Sequence, residues 1–143
     1  MKIGVIDYGA SNLLSVIAAL DYLGHEAKVE NTSEALSTFD ALILPGVGDF
    51  SYASRFLRDS GLSSAIVEFG ETGKRVLGIC LGMQLLGESS TENGVNQGLG
   101  LVSGHTVHLS DLKNNSDSAR VPRMGWYDVH GLSKLTNSKV NDN

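Results

Sequence analysis

Five residues, Gly78-Ile79-Cys80-Leu81-Gly82, stand between a strand-like run at 74–79 and an unbranched apolar stretch at 81–86 that reads as helix. A glycine–x–cysteine–x–glycine segment at such a junction puts the cysteine on a sharp turn, and its glycines supply the missing bulk where chains approach closely. A turn of this kind needs a strand inside a sheet and a helix folded back across it. That commits the chain to a layered α/β arrangement.

The rest of the chain keeps the same rhythm. Residues 2–7 read as a short buried strand, followed by the turn Tyr8-Gly9-Ala10-Ser11-Asn12. Leu13, Leu14, Ile17, Leu20 and Leu23 then fall at helical spacing, and Gly24 is placed to end that helix as a left-handed cap. Residues 25–30 form a second strand, and a short helix near 33–38 follows, with Asn31 and Glu34 offering start-of-helix chemistry. A strand at 41–44 is cut off by Pro45, which cannot donate to a central ladder. Helical patterns at 52–58 and 62–71 follow the loop Pro45-Gly46-Val47-Gly48, and Gly73 leads into the strand before Cys80. Beyond Gly87, residues 98–103 and 105–109 read as strands in a hairpin-like arrangement. Strands alternating with helices imply a mostly parallel central sheet with helices on both faces, three layers in all.

One domain of 143 residues is the expectation, and it is long enough to bury a core without disulfides or metal. Lys and Arg number 11 against 16 Asp and Glu, a net charge of −5, which opposes binding to nucleic acid or an anionic membrane surface. A single cysteine excludes an internal disulfide framework and fits a reduced, cytoplasmic setting. No apolar run reaches the length of a membrane span. From residue 110 onward, ten of 34 residues are Ser or Asn, and residues 133–143 read as a disordered tail.

Cys80 carries the chemistry. At the start of a helix its thiol meets unpaired backbone N–H groups and the positive end of the helix dipole, and both favour the nucleophilic thiolate. The alternatives are a small buried cysteine that only packs, or a redox-sensing thiol, which here lacks a second cysteine to resolve it. Elbow enzymes stabilise the developing oxyanion with the N–H after the nucleophile and with another from a loop after a neighbouring strand. Those donors are Leu81 and the Val47 and Gly48 amides, each worth roughly 3–4 kcal/mol in the transition state. The alternative for 45–48 is an ordinary Pro-Gly turn. Gln84, four residues after Cys80, shares its helix face and suits an amide or amino-acid head.

The nine residues Gly78-Ile79-Cys80-Leu81-Gly82-Met83-Gln84-Leu85-Leu86 resemble the nucleophile segment of class I, triad-type glutamine amidotransferases. Within that class, Ile6-Asp7-Tyr8-Gly9 with Asn12-Leu13, Leu44-Pro45-Gly46-Val47-Gly48, Gly98-Leu99-Gly100 and Val121-Pro122-Arg123-Met124-Gly125-Trp126 resemble the glutaminases that serve imidazole glycerol phosphate synthesis. Arg123 and Tyr127 depart from that branch's pattern. The resemblance implies that Cys80 attacks the side-chain amide of glutamine, Val47, Gly48 and Leu81 stabilise the oxyanion, and Gln84 holds the amino-acid head. It implies ammonia transfer to a (βα)8-barrel cyclase partner in histidine biosynthesis, or, in related copies, amination of surface sugars. No metal or organic cofactor is implied.

The family completes its triad with a His-x-Glu pair that nothing in the 63 residues after Cys80 matches. Of the four histidines, His25 reads as a surface residue, and His105 and His108 point to opposite faces of a strand. His130 precedes Gly131 and has no acidic residue two positions on. Losing the base of a triad costs on the order of 10³- to 10⁶-fold in turnover. The expectation is therefore a domain incomplete at its C-terminal end, with final strands missing and turnover impaired. A homologue that only docks a synthase, and an unrelated thiol-bearing α/β protein, stand beside it.

Overall fold

The structure, a computed structural model, describes residues 1–108 together with 111, 125 and 126. Arg123, Tyr127, His130 and the tail at 133–143 lie outside the described residues. Four strands, β1 (Ile3–Ile6), β2 (Ala27–Glu30), β3 (Ala41–Gly46) and β4 (Arg75–Cys80), form a wholly parallel sheet in the order β2-β1-β3-β4. The helices are α1 (Leu13–Tyr22), α2 (Phe50–Asp59), α3 (Leu62–Glu71) and α4 (Leu81–Leu86), with a 3₁₀ turn at Leu36–Thr38.

Alternation along the strands divides the core between two faces. Ile3, Val5 and Ile43 pack with Leu20 on one side, where α1 lies. Ile6, Leu42 and Leu44 face the other way into a larger cluster with Phe50 and Leu57 of α2, Ile66 and Phe69 of α3, and Leu81 and Leu85 of α4. The expected sheet with helices on both faces is therefore present. On β4, Leu77 is 56% exposed.

Local chemistry explains most boundaries. The Asn12 side chain accepts from Ser15 N–H at the start of α1, and Gly24, at φ +75°, turns the chain after it as expected. The short helix near 33–38 shrinks to the 3₁₀ turn, whose cap, Ala35, has no side-chain cap bond. Asn31 and Glu34 therefore do not start it. Glu30 organises that corner instead: its carboxylate accepts from the Thr32 hydroxyl at 2.6 Å and from the Asn31 and Thr32 N–H groups. The Thr32 hydroxyl, helped by those N–H groups, holds the Glu30 carboxyl below the usual range.

Pro45 does not end β3. The strand runs on to Gly46, with Pro45 opposite Ile79 and Gly46 opposite Cys80. Pairing with β1 has already stopped at Ile43, so β3 has a neighbour on one side only at Pro45 and behaves as an edge there. The expected hairpin of 98–103 with 105–109 is also absent. Residues 98–103 are irregular, and a second sheet of order β6-β5-β7 joins β5 (Ser89–Ser90), β6 (Asn96–Gln97) and β7 (His105–Thr106). The 98–103 backbone bonds to the end of α4: Leu99 N–H donates to Leu85 O and Val102 N–H to Leu86 O. Among the described residues no helix is long and apolar enough to cross a membrane.

Candidate active site

Cys80 is the last residue of β4 and the N-cap of α4, at φ +55° and ψ −117°. A side chain at positive φ is sterically disfavoured, and the surrounding structure must hold it there. Two close approaches supply that constraint. A Cβ on Gly82 would fall into the Leu44 carbonyl, and one on Gly78 would sit 2.5 Å from Met83 Cα. The first turn of α4 therefore lies directly on β3 and β4, and only glycine permits it. The thiol itself is exposed, so packing is not its role.

The register pair Gly46 with Cys80 brings the 45–48 loop to the nucleophile. Within that loop the amides differ. Val47 N–H donates to the Ala10 carbonyl at 2.8 Å, and so faces the β1–α1 turn. Gly48, at φ +110°, has no partner for its N–H among the described residues. Leu81 is buried at the start of α4, and Gln84 is half-buried one turn on. Cys80, Leu81 and the 45–48 loop thus gather at the carboxyl end of the parallel sheet, where open α/β sheets bind their ligands.

Asp49 fixes the far end of this loop. Its carboxylate caps α2 by accepting from Tyr52 N–H at 2.8 Å, and it also accepts from the Ser51 hydroxyl and, at 2.7 Å, from Asn93 Nδ2. The Ser51 hydroxyl, then Tyr52 N–H, then the Asn93 amide bring its pKa down to about 2. The folded protein therefore holds this carboxylate ionised where the unfolded chain protonates. The stabilisation is complete above the ordinary value of 3.8 and is lost as pH falls towards 2. Melting temperatures of wild type and Asp49→Ala, measured from pH 7 down to pH 2, are expected to differ most at neutral pH and to converge between about 4 and about 2. A gap that stays constant across that range refutes the assignment.

The histidines sit elsewhere. His25 is exposed. His105, in β7, bonds through Nδ1 to the Ser89 hydroxyl at 2.8 Å and places Nε2 3.3 Å from the Glu88 carboxylate. Strand β7 stops at Thr106, so the opposite-face reading of His105 and His108 fails: His108 is not in that strand. Among the described residues no three His, Cys, Asp or Glu side chains gather to hold a metal ion. Sequence reasoning passed over Tyr8 as a mere turn residue. It is wholly buried, and its hydroxyl lies against Gly46. Its place at the carboxyl end of the first strand of a parallel sheet was the available signal.

Comparison with known proteins agrees with this geometry. Residues 2–125 match the model of the CobB/CobQ-like glutamine amidotransferase domain. Over 124 residues the chain is 50% identical to the imidazole glycerol phosphate synthase subunit HisH of Bacillus velezensis, covering 87% of this chain and 58% of that protein. Over 132 residues it is 44% identical to the subunit of the same name from Wolinella succinogenes, covering 92% and 64%. The chain thus spans less than two thirds of the length of these relatives. A solved glutamine amidotransferase shares the fold at a TM-score of 0.65 and 23% identity, over 80% of this chain and 59% of that one.

Proposed function

The chain belongs to the CobB/CobQ-like glutamine amidotransferase family, and from that premise we propose that it is a glutaminase subunit whose nucleophile is Cys80. One observation carries the reading: an exposed cysteine held at positive φ on a strand-to-helix turn, opposite a glycine-rich loop. Cys80 Sγ attacks the side-chain carbonyl carbon of glutamine, and the carbonyl oxygen takes up the charge. The Gly48 and Leu81 amides stabilise that oxyanion. The Val47 amide can join them only by leaving the Ala10 carbonyl. Gln84, on the same helix, holds the amino-acid head. As the tetrahedral adduct collapses, the C–N bond breaks, nitrogen leaves with a third proton as ammonia, and a γ-glutamyl thioester remains. Water hydrolyses it to glutamate and restores the thiol.

The names of the HisH relatives support a role in imidazole glycerol phosphate synthesis, with ammonia passed to a (βα)8-barrel cyclase partner in the cytoplasm. A second reading, a docking homologue with little turnover, is favoured by the engagement of His105 with Ser89 and Glu88. A diazoketone analogue of glutamine, followed by mass spectrometry, tests the nucleophile: one adduct on Cys80 is expected, and none at saturating analogue refutes it. Ammonia release with and without the cyclase then separates the two readings. Release stimulated by the cyclase supports the glutaminase, while labelling without release supports the docking homologue.

A further inference from the structure

Two buried side-chain oxygens among the described residues have no hydrogen-bond partner, Tyr8 Oη and Ser11 Oγ, and both lie in the turn at the carboxyl end of β1. Tyr8 is the more telling, because its side chain is entirely buried. A buried hydroxyl with nothing to bond loses its water without recompense, and folded proteins rarely leave one so. Its position is well defined. A Cβ on Gly46 would collide with this hydroxyl and would also lie 3.0 Å from Gly82 N and from Leu81 Cβ. The hydroxyl therefore sits where Gly46 meets the first turn of α4, directly behind Cys80, the register partner of Gly46.

We propose that Tyr8 is a catalytic residue of this site, its hydroxyl donating a hydrogen bond to the Cys80 sulfur once that sulfur is ionised. A neutral phenol suits the task, since it offers a proton without bringing a charge. Burial, and then the neighbouring Cys80 charge, push the Tyr8 hydroxyl's pKa up, which keeps it protonated while the thiol titrates. No other titratable group is aimed at the sulfur. Asp7 turns back to accept from Gly9 N–H, and Asp49 is engaged with Tyr52, Ser51 and Asn93. Helix α4 carries no ionisable residue, and the single charged residue of β4, Arg75, stands at its opposite end. Hydrogen bonds to charged acceptors exceed those between neutral groups, so an unpaired donor in the resting protein gains its full return when the thiolate forms.

The proposal rests on Cys80 being the nucleophile, but its test needs no glutamine. Iodoacetamide alkylation of Cys80 in the full chain, followed from pH 5 to pH 10, reads the thiolate fraction directly. Replacing Tyr8→Phe removes only the hydroxyl. Its midpoint is expected to rise by about one pH unit, with a roughly ten-fold slower reaction at neutral pH and similar rates at the alkaline plateau. Superimposable profiles would show that Tyr8 only packs, and would overturn the proposal. Should the phenylalanine variant not fold, replacing all four tyrosines with 3-fluorotyrosine preserves the shape and makes the hydroxyl a stronger donor. The midpoint must then fall, and an unchanged or higher one is equally fatal. Loss of labelling by the glutamine analogue with an intact alkylation shift would count against the glutaminase and leave Tyr8 in its role.

Discussion

Cys80→Gly is expected to abolish labelling by the glutamine analogue and yet raise stability by about 1 kcal/mol. The side chain is exposed, so its removal opens no cavity. Its backbone stands at φ +55°, a conformation that costs a non-glycine residue of order 1–3 kcal/mol and costs glycine almost nothing. Glycine's greater freedom in the unfolded chain returns roughly 0.5–1 kcal/mol of that gain, and the remainder favours the folded state. Cys80→Ala loses the chemistry equally but keeps the Cβ, and with it the strain. Urea melts of the three proteins check the order. If alanine and glycine prove equally stable, the elbow holds no strain.

Gly82→Ala should have the opposite effect and the larger magnitude, a loss of more than about 3 kcal/mol. Ordinary overpacking of a core costs about 1–3 kcal/mol because side chains can give way. Here the added carbon meets the backbone carbonyl of Leu44 in the middle of β3, so α4 must lift from the sheet. Cys80 and Leu81 move with it, and analogue labelling should fail even in whatever fraction stays folded. Gly70→Ala, in α3, is the contrast. Its Cβ would press at 2.9 Å only on the tip of the Leu101 side chain, and alanine is the better helix former. That change should fall within about 1 kcal/mol of wild type. Comparable losses at the two sites would mean that the close approach of α4 to β3 does not govern stability.

The elbow was legible in the sequence because its causes are local. Gly78 and Gly82 flank Cys80 at fixed spacing, and the residues on either side have strand and helix character without help from distant partners. The first strand, its helix and the Gly24 cap were readable on the same grounds. Pro45 misled, because whether a proline interrupts a ladder depends on which neighbours are still paired at that level of the sheet. Residues 98–103 misled because their backbone bonds to the end of α4, a partner that no period in their own sequence reveals.

Spacing and glycine placement alone settled that this chain builds a parallel α/β sheet and sets one cysteine on a strained turn, because steric limits act between residues adjacent in the chain. Folding in three dimensions decided how that cysteine is served. It turned Val47 N–H toward Ala10, tied Asp49 to Asn93 and lodged the Tyr8 hydroxyl behind Gly46. Each of these joins segments more than 30 residues apart, and hydrogen bonds and burial at that separation exist only once the strands have chosen their order.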